Sequence, residues 1–250
     1  MEIKNAEVMH IKKNNIEYLQ FDKLLKYKDK VQHCFTLKDL DFKKDENLKE
    51  NYNKIMTTFR LNGFKIVRPI QEHTDNIKII KTGQEDLLGI DACITAEPKI
   101  LLSLIFADCT PILLYDYEKN IIAAIHSGWK GTLKRIAYKT VQKMEKELKS
   151  NPQNIIAVIG PTIRGCHFEV KEDVEKLFIK EFSEKNNFII NRENKIFIDT
   201  VKINKKLLLD AKLNIDNIID SNICTVCNNN KIYSHRCNEK GRNTAMISLI

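Results

Sequence analysis

ILLSLIFADCTPILLYDYEKNIIAAIHSGWKGT, residues 100–132, is the stretch that decides the fold. It opens with ILLSLIF (100–106), an apolar run of strand length, which fits a strand covered on both faces. ADCTP then turns the chain, ILLYDY (112–117) reads as a second strand, Asn120 marks a turn, and IIAAIH (121–126) reads as a third. Asp108 and Pro111 interrupt the apolar density from Ile100 to Tyr117, so that segment is two buried strands and a loop, not a membrane span. SGWKGT is a glycine-bounded turn with Thr132 a candidate N-cap, and Leu133 to Leu148 carries helical periodicity until Asn151-Pro152 breaks it.

Downstream, IIAVIG (155–160) is a strand ending in a Gly-Pro turn. Val170 to Phe182 and Val201 to Leu213 read as helices, and KIYSH (231–235) and TAMISLI (244–250) as terminal strands. Upstream, IEYLQF (16–21), VQHCFT (31–36) and KIVRPI (65–70) read as strands, and Glu46 to Leu61 as a helix. Strands and helices alternate, but hairpin-like strand pairs also occur. The pattern predicts an α/β class, a layered α/β sandwich with a mixed β-sheet. No internal repeat or linker divides residues 1–250, so a single domain is expected.

Composition narrows the function classes. The 250 residues are 43% hydrophobic and 30% charged, ordinary for a globular chain, and 8 glycines with 5 prolines exclude a collagenous or low-complexity protein. The net charge of +8 comes from lysines spread along the chain, such as Lys12, Lys43 and Lys205, mixed with acids and forming no basic stripe. A nucleic-acid partner is therefore not expected, although a mild attraction for phosphorylated substrates is. Seven cysteines at uneven spacings do not make a secreted disulfide framework, and MEIKNAEVMHIKKNN has no apolar leader region. The expectation is a reducing cytoplasm, no membrane partner, and cysteines serving as thiols or metal ligands.

Cys109 and His126 fall at the ends of two neighbouring strands, and His73 also follows a strand. Strand ends are where functional groups gather in α/β folds. Two imidazoles and a thiolate suit zinc with a fourth position open to water or substrate. From spacing alone, the same residues also read as a buried thiol with a core histidine, or as a Cys-His nucleophile pair.

Six segments in order then resemble the laccase-domain family of the YfiH type. They are QEHTDNI (71–77), GIDACIT (89–95), FADCTPILLYD (106–116), AAIHSGWKGTLKRI (123–136), IGPTIRGCHFEV (159–170) and CTVCNNNKIYSHRCNEKGRNTAMISLI (224–250). The resemblance covers roughly residues 60–250, and residues 1–60 match weakly: CFTLKDLDF lacks the family's Arg and Gly-Gly. Thr74 stands where the family has Gly, Lys130 where it has Arg, and His235 and Cys237 where it often has Tyr and Arg. Members are described as multi-copper polyphenol oxidoreductase-like proteins and as purine nucleoside phosphorylases. The resemblance implies metal ligation by His73, Cys109 and His126, by Zn2+ with Cu2+ as the alternative, and a fold shared with Cys-His hydrolases. It also implies phosphorolysis of adenosine, inosine and S-methyl-5'-thioadenosine, and deamination of adenosine.

Each implied reaction makes demands on the residues. Deamination needs a proton shuttle, for which Asp91, Asp108 and Glu169 are candidates, with Asp108 equally suited to orienting a metal-bound histidine. Cys109 and His126 are the catalytic candidates of a Cys-His hydrolase or peptidoglycan editing factor, which shares the same residues. Phosphorolysis needs an anion pocket, for which Lys130, Arg164, Arg236 and Arg242 are candidates, and a purine needs a stacking face, from Phe168 or Trp129. A copper-dependent polyphenol oxidase is a further alternative, weakened because four-electron oxygen reduction needs several coupled coppers. Finally, Cys224-x-x-Cys227 with His235 and Cys237 has the spacing of a small zinc knuckle, the basis of a nucleic-acid-binding alternative. Cys34, Cys93 and Cys166 are expected to be buried thiols. The sequence leaves the oligomeric state open.

Overall fold

The computed structural model describes residues 7–43, 45–183 and 188–250. In chain order the strands are β1 (Val8–Lys13), β2 (Ile16–Phe21), β3 (Val31–Thr36), β4 (Lys65–Val67), β5 (Ile77–Ile79), β6 (Ala92–Thr95), β7 (Ile100–Phe106), β8 (Thr110–Asp116), β9 (Ile121–Ser127), β10 (Ile155–Ile159), β11 (Glu169–Val170), β12 (Ile189–Arg192), β13 (Lys195–Ile198), β14 (Ile218–Asp220) and β15 (Asn243–Leu249). The helices are α1 (Asp22–Leu25), α2 (Asp45–Phe59), α3 (Trp129–Leu133), α4 (Ile136–Leu148), α5 (Glu172–Phe182) and α6 (Thr200–Asp210).

The expected α/β class is borne out, with more than one sheet. One six-stranded sheet has the order β1-β2-β3-β15-β7-β4 and the other β14-β10-β8-β9-β6-β5; a three-stranded sheet, β11-β13-β12, stands apart. Both large sheets are mixed. β4 runs parallel to β7 in the first, and β5 to β6 and β10 to β14 in the second, while the other pairings are antiparallel.

Side-chain alternation shows how the layers stack. Along β8, Leu113 and Tyr115 join a core with Phe35, Leu102, Leu104 and Ile247 of the first sheet, so the two sheets pack face to face. Ile112 and Leu114, pointing the other way, pack with α4, α5 and α6 residues such as Val141, Phe178 and Leu207. On the outer face of the first sheet, Tyr18, Leu101 and Met246 meet Tyr52, Ile55 and Met56 of α2. The order is helix, sheet, sheet, helices. The central strands read as continuous apolar runs because a sheet covers one face and helices or a sheet the other.

Three local expectations need correction. Thr132 is not an N-cap: Gly128 precedes α3, and the Thr132 hydroxyl instead bonds Ser127 Oγ at 2.9 Å. Leu133 to Leu148 is not one helix, because Arg135 adopts a left-handed conformation (φ 62°) between α3 and α4. That backbone turn aims the guanidinium at Glu181 (2.6 Å) and over the Phe182 ring. KIYSH is not a strand. Tyr233 N–H donates to Asn243 Oδ1 and Tyr233 C=O accepts from Asn243 Nδ2, so a side-chain amide takes the place of a ladder. No helix among the described residues is long and apolar enough to cross a membrane.

Candidate metal centre and its pocket

The three ligand candidates meet. A donor atom from each of His73, Cys109 and His126 lies within 4.8 Å of the others, Cys109 Sγ stands 3.6 Å from His73 Nε2, and the two imidazoles cross edge to face at 4.9 Å. Tetrahedral zinc with nitrogen and sulfur ligands sets such a pair about 3.5 Å apart. The donor set and spacing therefore fit zinc, and a thiolate with two imidazoles is equally a copper ligand set.

Each ligand candidate is placed by a distinct piece of backbone. Cys109 sits where the chain leaves β7 of one sheet for β8 of the other, and Asp108 makes the turn with φ 83°. His126 faces Pro111 across the β8–β9 ladder. His73 lies between β4 and β5, also a passage from one sheet to the other, and is left-handed at φ 60°. Gln71 anchors that passage: its amide donates to Ile105 C=O and accepts from Ile105 N–H, both at 2.9 Å, in imitation of a strand. Gly128 lets the His73 ring come close to the backbone, since a Cβ there would fall 2.6 Å from His73 Cδ2.

Asp91 joins these pieces from behind. It is fully buried, and its Oδ1 accepts from His126 Nδ1 at 2.7 Å and His73 N–H at 3.1 Å. Its Oδ2 accepts from Glu72 N–H (3.2 Å) and Thr74 N–H (2.7 Å). Burial alone would raise its pKa, but the bonds from His126 and Thr74 prevail and hold it at about 2. Donation by Nδ1 leaves His126 Nε2 free for the centre. Burial likewise acts against ionisation of Cys109 and His126, yet their mutual attraction, with Asp91 and His73 beside them, lowers the thiol and raises the imidazole. Ser127, bonded to Thr132 and to Asn204 Oδ1 (3.0 Å), ties the end of β9 to α3 and α6.

His73 and Cys109 open onto a cavity of about 280 Å³ lined also by Asp108, Thr110, Trp129, Ile163, Phe168, Thr200, His235 and Arg236. Of the four cations expected around an anion, Arg236 alone lines it. Arg164 is committed elsewhere by a bidentate pair with Asp220 at 2.8 and 2.9 Å; Arg242 Nη1 bonds the carbonyls of Lys240 and Gly241; Lys130 is exposed on α3, over the Trp129 ring. Asp91 does not line the cavity, and both its oxygens are occupied by hydrogen bonds, so it reaches the cavity only through His126 and the His73 backbone. Asp108 lines the cavity while accepting from Thr225 Oγ1 and from Arg236 N–H (2.7 Å). Glu169 lies outside the lining and pairs with Lys195. Phe168 is present, beneath the Arg236 guanidinium at 5.9 Å.

Thr200 at the start of α6 and Thr110 were not foreseen, and no local signal marks them. His235 was foreseen only as a knuckle ligand. It lines the cavity instead, and the ligand-type atoms gathered around Cys224 and Cys227 belong to Cys166 and His167. Cys34 and Cys93 are buried thiols as expected, whereas Cys166 is only partly buried.

The chain has likenesses among known proteins. The chain is 33% identical over 202 residues to the purine nucleoside phosphorylase of Bacteroides thetaiotaomicron, spanning 76% of this chain and 75% of that protein. It is 31% identical over 182 residues to adenosine deaminase RL5 of an unknown prokaryotic organism, spanning 68% and 69%. Among solved structures, the hypothetical protein YfiH of Bacillus licheniformis superposes with a TM-score of 0.84 at 25% identity, covering 93% of this chain and 96% of that one. The family model for the multi-copper polyphenol oxidoreductase laccase matches residues 34–250, and the chain belongs to that family.

Proposed function

We propose that this chain is a zinc-dependent purine nucleoside phosphorylase, acting on adenosine, inosine and S-methyl-5'-thioadenosine, that also deaminates adenosine. The observation that carries the reading is the placement of a two-histidine, one-cysteine centre on the wall of a cavity with aromatic faces and one arginine. The relatives named for phosphorolysis and for deamination support the same pair of reactions. At about 280 Å³ the cavity lies near the lower end of the range for small-molecule sites, roughly 300 Å³ upward, so it suits a compact nucleoside.

His73, Cys109 and His126 would hold the metal, which when bound supplies Lewis-acid polarisation and an activated water. Phe168 and Trp129 offer faces for the purine. Among the described residues Arg236 is the only lysine or arginine lining the cavity, and its bonds to the His167 and Glu169 carbonyls fix its charge where a phosphate can be drawn in. Asp108 is the carboxylate within reach of a bound substrate, and it also steers Arg236 through the backbone. Asp91 orients His126 and His73. Purified protein should release free base from each nucleoside only when phosphate is present, and release ammonia from adenosine in water. Zinc-loaded protein that does neither refutes the proposal.

A second reading rests on Cys109, whose thiolate is favoured by His126 and could attack an acyl substrate as in a Cys-His hydrolase. Iodoacetamide separates the two. A metal ligand is shielded when zinc is bound and alkylated after chelation, whereas a free nucleophile is alkylated in both states.

A further inference from the structure

The structure assigns a second metal site, a closed four-ligand zinc centre formed by Cys166, His167, Cys224 and Cys227, which staples together two walls of the pocket. Their donor atoms all lie within 4.8 Å of one another. His167 Nδ1 stands 3.2 Å from Cys166 Sγ, 3.4 Å from Cys227 Sγ and 3.7 Å from Cys224 Sγ, and the Cys166 and Cys227 sulfurs are 3.9 Å apart. A tetrahedral zinc with three thiolates and an imidazole sets its ligand atoms about 3.5–3.8 Å from each other. Four such donors fill the coordination shell, so this centre is structural where the first is open. A disulfide is a poorer description, because sulfurs 3.9 Å apart are far beyond the ~2.05 Å of a bond.

The backbone supports the same assignment. Cys224-x-x-Cys227 is a tight turn closed by Asn228, whose N–H and side-chain amide both donate to Cys224 C=O. Residues 162 and 224 form a parallel bridge, and Thr225 N–H donates to Thr162 C=O, so the turn docks beside the segment that ends in Cys166 and His167. A divalent ion lets three neighbouring thiols lose their protons together, which three unscreened thiolates resist.

The staple has consequences for the pocket. Phe168 follows His167 directly, Arg236 Nη1 donates to His167 C=O, and Thr225 Oγ1 bonds the carboxylate of Asp108, the neighbour of Cys109. The aromatic face, the cation and the turn before Cys109 are all fastened to this cluster. The assignment does not depend on the reaction performed at His73, Cys109 and His126.

The test is metal stoichiometry on the full-length chain, purified under reducing conditions with zinc and then desalted. Wild type should hold two zinc ions per chain, Cys227→Ser and Cys109→Ser one each, and Cys237→Ser two. Cobalt in Cys109→Ser should show the intense thiolate charge-transfer absorption of a three-sulfur site, and chelation in that variant should lower the melting temperature. Wild type holding at most one zinc, retained in Cys227→Ser and lost in Cys109→Ser, overturns the site. So does a Cys166–Cys227 disulfide found by mass spectrometry in metal-free native protein. If Cys227→Ser fails to fold, the wild-type stoichiometry and the cobalt spectrum of Cys109→Ser decide alone.

Discussion

Replacing Asp91 by asparagine should loosen the metal centre without touching a ligand. Four N–H groups converge on this carboxylate: those of Glu72, His73 and Thr74 from the backbone, and Nδ1 of His126. An amide of the same shape keeps one oxygen and turns two N–H bonds toward the other pair of donors. Whichever way it flips, two N–H donors lose their acceptor, while the Thr74 hydroxyl, which also bonds Oδ2, keeps the Gly89 carbonyl. A buried donor left unpaired costs about 1–3 kcal/mol. Water reaches the exposed Glu72 side, so the lower part of that range applies and the loss should be about 2–4 kcal/mol. For a domain of this length that is a fall in Tm of roughly 4–16 °C. His126 also loses the charge opposite Nδ1, and in the flip that turns the amide nitrogen toward it loses its acceptor too, which weakens metal binding by about 10–100-fold. Urea unfolding measures the first quantity, and competition with a chromogenic zinc chelator the second. An Asp91→Asn protein within 0.5 kcal/mol and twofold of wild type, thresholds of about the ordinary scatter between measurements, would refute the role given to this carboxylate.

Three further outcomes follow from other parts of the structure. Gly128→Ala places a methyl 2.6 Å from His73 Cδ2, so zinc affinity should fall at least about tenfold with stability changed by less than about 2 kcal/mol; equal affinity in the chelator assay contradicts the close approach. His33 is buried, its Nε2 accepting from Phe21 N–H at 2.8 Å, and burial lowers its pKa to about 3. The unfolded chain therefore binds one more proton between about pH 6.5 and pH 3, and His33 should cost about 1.4 kcal/mol of stability per unit as pH falls through that window, a slope absent in His33→Gln. Arg164→Ala should cost about 1–3 kcal/mol through the partly buried pair with Asp220 yet, in the proposed phosphorolysis, leave KM for phosphate within twofold, whereas a phosphate-binding arginine would raise it tenfold or more.

The strands of the centre were legible because burial on two faces leaves a plain mark: ILLSLIF, ILLYDY and IIAAIH have almost no polar position to misread. That same uniformity hides which face meets a sheet and which meets helices, so a single mixed sheet was expected where two are stacked. His73, Cys109 and His126 stand out in the sequence because each ends or follows a strand within a recognisable motif, and the fold brings their donor atoms together. The arginines were harder. Nothing local distinguishes Arg236, held by carbonyls at the cavity wall, from Arg164, drawn away by Asp220 from 56 residues along the chain. Cys224-x-x-Cys227 was visible as half of a metal site. Its partners were sought within a dozen residues, while the fold supplies Cys166 and His167 through the bridge between Thr162 and Cys224.

Two of the three ligands at the open centre occupy the passages by which the chain steps from one large sheet to the other, and the third stands on the second sheet. The centre thus behaves as a strain gauge mounted across the seam of the sandwich. A substitution deep between the sheets, at Leu104 or Leu113, that slides one against the other by a fraction of an ångström changes the separation of His73 and Cys109 from His126. Metal affinity, and the ligand-field spectrum of the cobalt-substituted centre, would register such a shift long before unfolding does, which makes the sheet interface a remote tuning surface for the chemistry at its edge.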